Sequence, residues 1–388
     1  MNNVEERKTA FNRLFGELEK TREFFAPGRV NLIGEHTDYN GGHVFPCSLN
    51  IGTYAIAQKR SDQKIHMYSV NFPEQKVIEL DLQAIRYQDE HDWGNYPKGV
   101  IAQFQQSGYR FPSGFDVVFE GNIPNGAGLS SSASIEIATA VLLNRFYHFG
   151  LNMKELVQMA QRAENDFVGV NCGIMDQFSI GFGKKNHAVL LNCKNLNYSY
   201  SPIKVDNWSL IIANTNKKRG LTDSKYNERR LECERALTAL KEMHDIEYLC
   251  DLTLQEFQES EYLISNELDR KRARHAISEN DRTRRAHEAL AKGNLEQFGQ
   301  LMNESHISLR DDYEVTGIEL DTLVEAAWEQ GALGARMTGA GFGGCTVNLV
   351  KTGEQEEFFQ NVARRYKEKT GIEPSFYTVS IADGAHEL

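Results

Sequence analysis

A chain of 388 residues, 40% apolar and 25% charged, has the composition of a soluble globular protein of two or three domains with ample core. Its formal net charge of −11 argues against general binding to nucleic acid or anionic membranes, so a polyanion site must be built locally. The six cysteines form no CxxC pair, which disfavours zinc and disulfide frameworks and fits a reducing cytoplasm. Residues 1–23 carry no signal-peptide pattern, and no apolar run approaches the ~18 residues that cross a bilayer. A cytoplasmic location is therefore expected, with no membrane or nucleic-acid partner.

Residues 4–20 carry apolar side chains at helical spacing and predict an amphipathic helix. Next comes Phe25-Ala-Pro-Gly-Arg-Val-Asn-Leu-Ile-Gly-Glu-His-Thr-Asp-Tyr-Asn-Gly-Gly. Residues 29–33 read as a strand, released by Gly34 into a loop holding Glu35, His36 and Asp38. Two carboxylates three residues apart, with a histidine between them, can converge on one small polar ligand. Carboxylates accept paired hydrogen bonds from vicinal hydroxyls, which suits a sugar. A solvated turn is the plainer reading, weakened by the arginine inside the apolar strand upstream. The β-rich runs 44–46, 52–58, 64–70 and 76–80 predict an antiparallel sheet. Before a helix expected at 97–107, Trp93 and Tyr96 either stack on a base or belong to the core.

The stretch that organises the chain is residues 121–134, Gly-Asn-Ile-Pro-Asn-Gly-Ala-Gly-Leu-Ser-Ser-Ser-Ala-Ser. It joins the alternating run 115–119, a predicted strand, to a helix whose apolar face carries Ile135, Ala138, Leu142, Phe146 and Phe149. Gly126 and Gly128 permit left-handed backbone and close approach to a ligand. Ser130, Ser131 and Ser132 stand where helix caps belong, and unpaired amides at a helix start favour an anion. Strand, glycine loop and helix N-terminus make a phosphate cradle, with three hydroxyls added. The loop is neither a Walker A sequence nor the dinucleotide fingerprint.

A second helix is expected over 154–167, with Glu164 beside its apolar face and in need of a partner, a metal or a structural arginine. Asp176, enclosed by Ile174, Met175, Phe178 and Ile180, must be neutral, paired or functional, which makes it a candidate base. From residue 196 the texture changes. A strand is predicted at 208–214, then helices at 221–243, 253–259, 261–293, 294–309 and 318–331, with the basic run 270–274 read as a solvated face. The loop Gly339-Ala-Gly-Phe-Gly-Gly-Cys matches Gly-x-Gly-x-x-Gly formally, but lies between a helix and a following strand (345–350), the reverse of the dinucleotide-binding order. A helix at 354–369 and a strand at 375–381 follow.

Three of these segments together resemble the GHMP small-molecule kinases: the phosphate loop from Pro124, the glycine loop from Gly339, and the segment from Gly28 to Gly42. The last, with its Gly-Glu-His-Thr-Asp-Tyr string, resembles the galactokinase branch specifically. The resemblance spans residues 20–382 in the family's order. It implies an α/β (α+β) two-domain fold of mixed sheets and helices, with the active site in the interdomain cleft. The N-terminal domain would be 1–195 and the C-terminal domain 196–388. It further implies ATP-dependent phosphorylation of the anomeric hydroxyl of α-D-galactose, the first committed step of the Leloir pathway. Asp176 would be the catalytic carboxylate and Arg29 its charged neighbour. Glu35, His36, Thr37, Asp38, Gly173 and Tyr226 would contact the sugar. Gly126, Ala127, Gly128, Leu129, Ser130, Ser131 and Ser132 would hold the phosphates of ATP. Ser132 and Glu164 would hold Mg²⁺, and Ser69, Trp93, Asn95 and Tyr96 match positions near the adenine. The expected partners are galactose and ATP, and the chain is expected to be a monomer. Two rivals remain: an N-acetylgalactosamine kinase, differing in room near the sugar C2, and a non-catalytic galactose sensor. The sensor lacks a Ser-Ala pair in the phosphate loop, whereas Ser130-Ser-Ser-Ala-Ser is intact here.

Overall fold

A computed structural model of the protein describes residues 4–124, 126–203, 207–217 and 222–388. Asn125 of the phosphate loop and Leu221, the first residue of the helix expected at 221–243, lie outside the described residues. The first half contains α1 (Val4–Phe15), β1 (Arg22–Asn31), β2 (His43–Val44), β3 (Pro46–Lys59), β4 (Lys64–Ser69) and β5 (Ile78–Asp81). It continues with α2 (Asn95–Gln106), β6 (Phe115–Gly121), α3 (Ser131–Tyr147), α4 (Met153–Arg162) and α5 (Met175–Phe182). Then come β7 (His187–Asn192), β8 (Tyr198–Pro202) and β9 (Trp208–Asn214). The helical part holds α6 (Thr222–Leu240), α7 (Leu254–Ser260), α8 (Glu267–Ala291), α9 (Leu295–Asp311) and α10 (Gly317–Glu329). β10 (Gly334–Thr338), β11 (Cys345–Lys351), α11 (Gln355–Thr370), β12 (Ser375–Val379) and β13 (His386–Glu387) close the fold.

The alternating pattern of the early strands does produce a sheet, but a mixed one, ordered β13-β1-β3-β6-β4-β5. β4 pairs with β6 in parallel, because the chain between them crosses over through α2. The run expected at 44–46 divides: β2 leaves for a small sheet with β7 and β8, while Pro46 opens β3. A third sheet, β10-β11-β9-β12, lies in the second half. One apolar core sits under the first sheet, where α3 lays Ile137, Val141 and Leu142 against Phe24, Ala55 and Phe119. Another draws on both halves, with Val30, Leu32 and Phe45 packed among Leu210, Phe298, Met302 and Val347. Strand pairing also crosses residue 195: β8 joins β7, and β13 joins β1.

Several local expectations shift. The helix expected to residue 20 stops at Phe15, where Gly16 takes φ +95°. The helix expected over 261–293 is broken at Asn266, whose side chain caps the start of α8 by accepting from the Leu268 and Asp269 amides. The basic run 270–274 is not a solvated face throughout. Arg272 is fully buried, donating to Glu232 and Glu314, because α6 covers that side of α8. Its burial is tolerated because both charges are paired. Among the described residues, no helix is long and apolar enough to cross a membrane.

Candidate active site

A β-bulge between Pro27 and Arg29 shifts the register of β1 against β3 and re-aims Arg29. No Cβ fits at Gly28, where one would lie 2.9 Å from the Leu129 carbonyl. The Arg29 amide instead donates to that carbonyl at 3.1 Å, tying the strand to the phosphate loop. The Arg29 guanidinium forms a two-pronged pair with Asp176 at 2.8 and 2.9 Å, and Nη1 donates to the Gly128 carbonyl at 2.7 Å. Burial opposes the Arg29 charge, but the Asp176 carboxylate outweighs it, so the guanidinium stays firmly protonated. Asp176 stands in the first turn of α5, and its Oδ2 also accepts from the Ser130 hydroxyl at 2.6 Å. Of the three settings the sequence left open for Asp176, the structure shows the paired one, and about a quarter of its side chain is exposed.

Ser130 corrects a second expectation. It occupies the N-cap position of α3, yet its side chain makes no cap, because the backbone there is left-handed at φ +63°. The hydroxyl points to Asp176 instead. A non-glycine residue held in that region carries strain, which is found where function needs it. Gly126 and Gly128 are left-handed too, at +70° and +73°, as the glycine pattern predicts. Ser134 anchors the same helix start, donating to the Ala26 carbonyl at 2.8 Å and accepting from the Thr53 amide at 3.1 Å.

The 34–38 turn faces this cluster. Glu35 is nearly fully buried, its Oε1 accepting from the Gly339 amide at 2.8 Å, Thr338 Oγ1 at 3.1 Å and Arg336 Nη1 at 3.4 Å. His36 is buried, with Nδ1 2.7 Å from the Tyr39 hydroxyl. Burial drives its pKa down to about 3, so the ring is neutral. Asp38 is pushed up to about 6, first by burial and then by the Asp176 charge. A Cβ on Gly173 would lie 1.9 Å from Asp38 Oδ2, so only glycine leaves room for this carboxylate. Tyr226 lies against His36 and Tyr39 at ring separations of 5.8 and 5.6 Å.

These groups surround a cavity of about 260 Å³. Of the candidate residues, Arg29, Glu35, His36, Asp38, Gly126, Gly128, Leu129, Ser130, Ser131, Ser132, Glu164, Gly173, Asp176 and Tyr226 are brought together in its lining. Ser69, Trp93 and Tyr96 line a neighbouring cavity of about 230 Å³ that shares Ile123, Ser131 and Ser132 with the first. Trp93 is a core residue that packs edge-on to Phe119, and it also borders that cavity. Three predicted residues lie off the cavity surfaces. Thr37 is buried beneath the turn, within bonding distance of the Gly34 and His43 carbonyls. Asn95 folds back on the Gln88 backbone, and Ala127 sits in the apolar core. The sequence reading missed Tyr39, Ile123, Val170, Cys172 and Met175 in the lining, along with the bracing role of Arg336. Tyr39 was visible in the signature string; the apolar residues carried no signal of their own.

Glu164 occurs in a π-helical turn after α4, and Gln177 rather than an arginine meets it. Gln177 Nε2 donates to Glu164 at 2.6 Å and to the fully buried Glu136 at 3.0 Å. Burial first, then the Asp176 charge, raise the Glu164 pKa, with the Ser132 hydroxyl opposing. A hydroxyl beside a crowded carboxylate is an oxygen donor set suited to a hard divalent cation, which would relieve that crowding.

Comparison with known proteins fits this geometry. Residues 95–184 match the GHMP kinases N terminal domain, 286–368 the GHMP kinases C terminal domain, and 9–59 the galactokinase galactose-binding signature. The chain is 56% identical over 389 residues to a galactokinase of Clostridium beijerinckii, covering 100% of both. It is 57% identical over 385 residues to that of Bacillus subtilis, covering 99% of each. The crystal structure of Lactococcus lactis galactokinase complexed with galactose superposes with a TM-score of 0.97 at 47% identity, over 99% of this chain and 100% of that one. A mevalonate kinase structure, at 20% identity and a TM-score of 0.65, shares the fold.

The chain belongs to the GHMP kinases, and its fold is their α/β arrangement of mixed sheets and helices. Within them it falls among the galactokinases, and it is an enzyme.

Proposed function

We propose that this enzyme transfers the γ-phosphoryl group of ATP to the anomeric hydroxyl of α-D-galactose, with Asp176 as the general base. The observation that carries the assignment is one carboxylate, ion-paired to Arg29 and bonded to Ser130, facing the same cavity as the 34–38 turn and the phosphate loop. Phosphoryl transfer to a hydroxyl needs positioning and neutralised phosphate charge more than covalent chemistry. The sugar would lie between Asp38, His36 and Tyr226, with Glu35 braced through Oε1 from behind. Asp176 accepts the proton of the 1-hydroxyl as that oxygen bonds to the γ-phosphorus and the bond to ADP breaks. Arg29, held protonated by the Asp176 charge, adds positive charge beside the transferring group. The amides at the start of α3 and the left-handed glycines before it bind the triphosphate. The neighbouring cavity with Ser69, Trp93 and Tyr96 has the aromatic lining an adenine needs. Ser132 and Glu164 would hold Mg²⁺, which when bound neutralises β- and γ-phosphate charge. The same reading divides the chain near residue 195, makes the protein a cytoplasmic monomer, and gives it no nucleic-acid or membrane partner.

The deciding experiment is a parallel assay of galactose, N-acetylgalactosamine and glucose with ATP. Galactose should be the efficient substrate. Glucose has its C4 hydroxyl inverted and should be poor, because buried acceptors left unpaired penalise the wrong stereoisomer. Equal use of glucose would refute the turn as a galactose reader. Efficient use of N-acetylgalactosamine would shift the assignment to that sugar.

A further inference from the structure

The 34–38 turn is gripped from behind by α8, a helix of the other half of the molecule. His275, Glu279 and Thr283 are spaced four residues apart and so form one stripe along that helix. His275 is fully buried, with Nε2 3.1 Å from the Glu35 carbonyl and Nδ1 2.9 Å from the Ser308 hydroxyl. A carbonyl can only accept, so Nε2 carries the hydrogen, and Nδ1 accepts from Ser308. Burial drives the His275 pKa down to about 4, which keeps the ring neutral and this arrangement intact near pH 7. Glu279 is also fully buried; its Oε1 accepts from the Gly34 amide at 3.0 Å and from the Ser305 hydroxyl at 2.5 Å. Thr283 closes against Gly34, where a Cβ would lie 2.9 Å from its hydroxyl. Two consecutive residues of the turn thus have their main-chain groups fixed by successive turns of one helix.

We propose that His275 and Glu279 are positioning residues for the sugar: they hold the Gly34 amide and the Glu35 carbonyl so that Glu35, His36 and Asp38 present a preformed hydroxyl-reading surface. This rests on the reading of that turn as the galactose site. Neither residue lines the cavity, so both act through the turn. Their loss should therefore weaken sugar binding and spare the nucleotide.

The test uses the full chain with His275→Leu, His275→Gln and Ser308→Ala, measuring KM for galactose, KM for ATP, kcat and the thermal shift induced by galactose. His275→Leu should raise the galactose KM by roughly ten-fold and leave the ATP KM within two-fold, since small misplacements at a binding surface are costly. His275→Gln, whose amide N–H can reach the Glu35 carbonyl, should recover most of the loss and most of the galactose-induced shift. Ser308→Ala releases the ring without removing it, and should raise the galactose KM by about two- to five-fold, the scale of one hydrogen bond. It also decides the matter if His275→Leu does not fold. Equal effects of Leu and Gln, a parallel rise in the ATP KM, or an unchanged galactose KM in Ser308→Ala would each overturn the proposal. Asp38→Asn, run alongside, separates the two levels. If it leaves the galactose KM unchanged, the reading of the turn itself fails, whatever the α8 variants do.

Discussion

Gly173 sets the tightest requirement at the residue scale, because Asp38 Oδ2 occupies the space any side chain would need. Gly173→Ala should displace Asp38 and raise the galactose KM while leaving that for ATP within a few-fold; initial rates with each substrate varied in turn check this. Asp38 also gives a pH signature. Its folded pKa is raised, to about 6, so the native carboxyl is protonated below that value and loses acceptor capacity. The galactose KM is expected to rise as pH falls through about 6. For stability the sign is opposite: a raised pKa means the bound proton stabilises the fold below the unfolded value, and the contribution disappears as pH rises through 6. Asp176→Asn preserves shape but removes the base and replaces one of the two accepting oxygens with a donor. Turnover should fall by ~10²–10⁴-fold, with both substrates still bound. Near-normal turnover of the purified variant would remove Asp176 from that role.

At the scale of elements, the start of α3 separates two serines with different duties. Ser132 faces Glu164, and Ser132→Ala or Glu164→Ala should raise the Mg²⁺ concentration needed for half-maximal rate more than the galactose KM. Titrating Mg²⁺ at fixed galactose tests it. Ser134, two residues further on, has its hydroxyl against Ala26 and Thr53. Ser134→Ala leaves a buried carbonyl and amide short of a partner and should cost about 1–3 kcal/mol of stability, read by thermal or urea unfolding. The anchoring role of Ser134 was not visible from the run of serines, where cap positions were assigned to Ser130, Ser131 and Ser132 only. Hydroxyl direction depends on the left-handed turn at Ser130, and that turn depends on Asp176 from a distant part of the chain.

At the scale of the whole molecule, the two halves share a core, two strand pairings and the bracing of Glu35. Buried neutral histidines make this assembly acid-sensitive. His36 and His275 have folded pKa values depressed to about 3 and 4, so the unfolded chain takes up protons first as pH falls below about 6.5. Their contribution is complete above 6.5 and is lost progressively toward pH 4, against the smaller opposing slope of Asp38. Melting temperature should therefore fall from pH 7 to pH 4, and His275→Gln should flatten part of that decline.

What the sequence by itself determined is mostly local. Spacing of apolar residues, glycine placement and the order of strand, loop and helix depend on neighbours a few residues apart, so the phosphate loop, the signature turn and most elements were legible. The residues of the candidate site were legible through their resemblance to a family. The tertiary structure alone decided how they meet. Arg29 reaches Asp176 across 147 positions, Glu35 is braced from residues 336–339, and α8 grips the turn from 275 and 279. It alone buried Arg272 among carboxylates and turned Thr37, Asn95 and Ala127 away from the cavities. Such contacts depend on how separate surfaces pack and on which polar groups are then left to satisfy, and no short-range pattern along the chain encodes that.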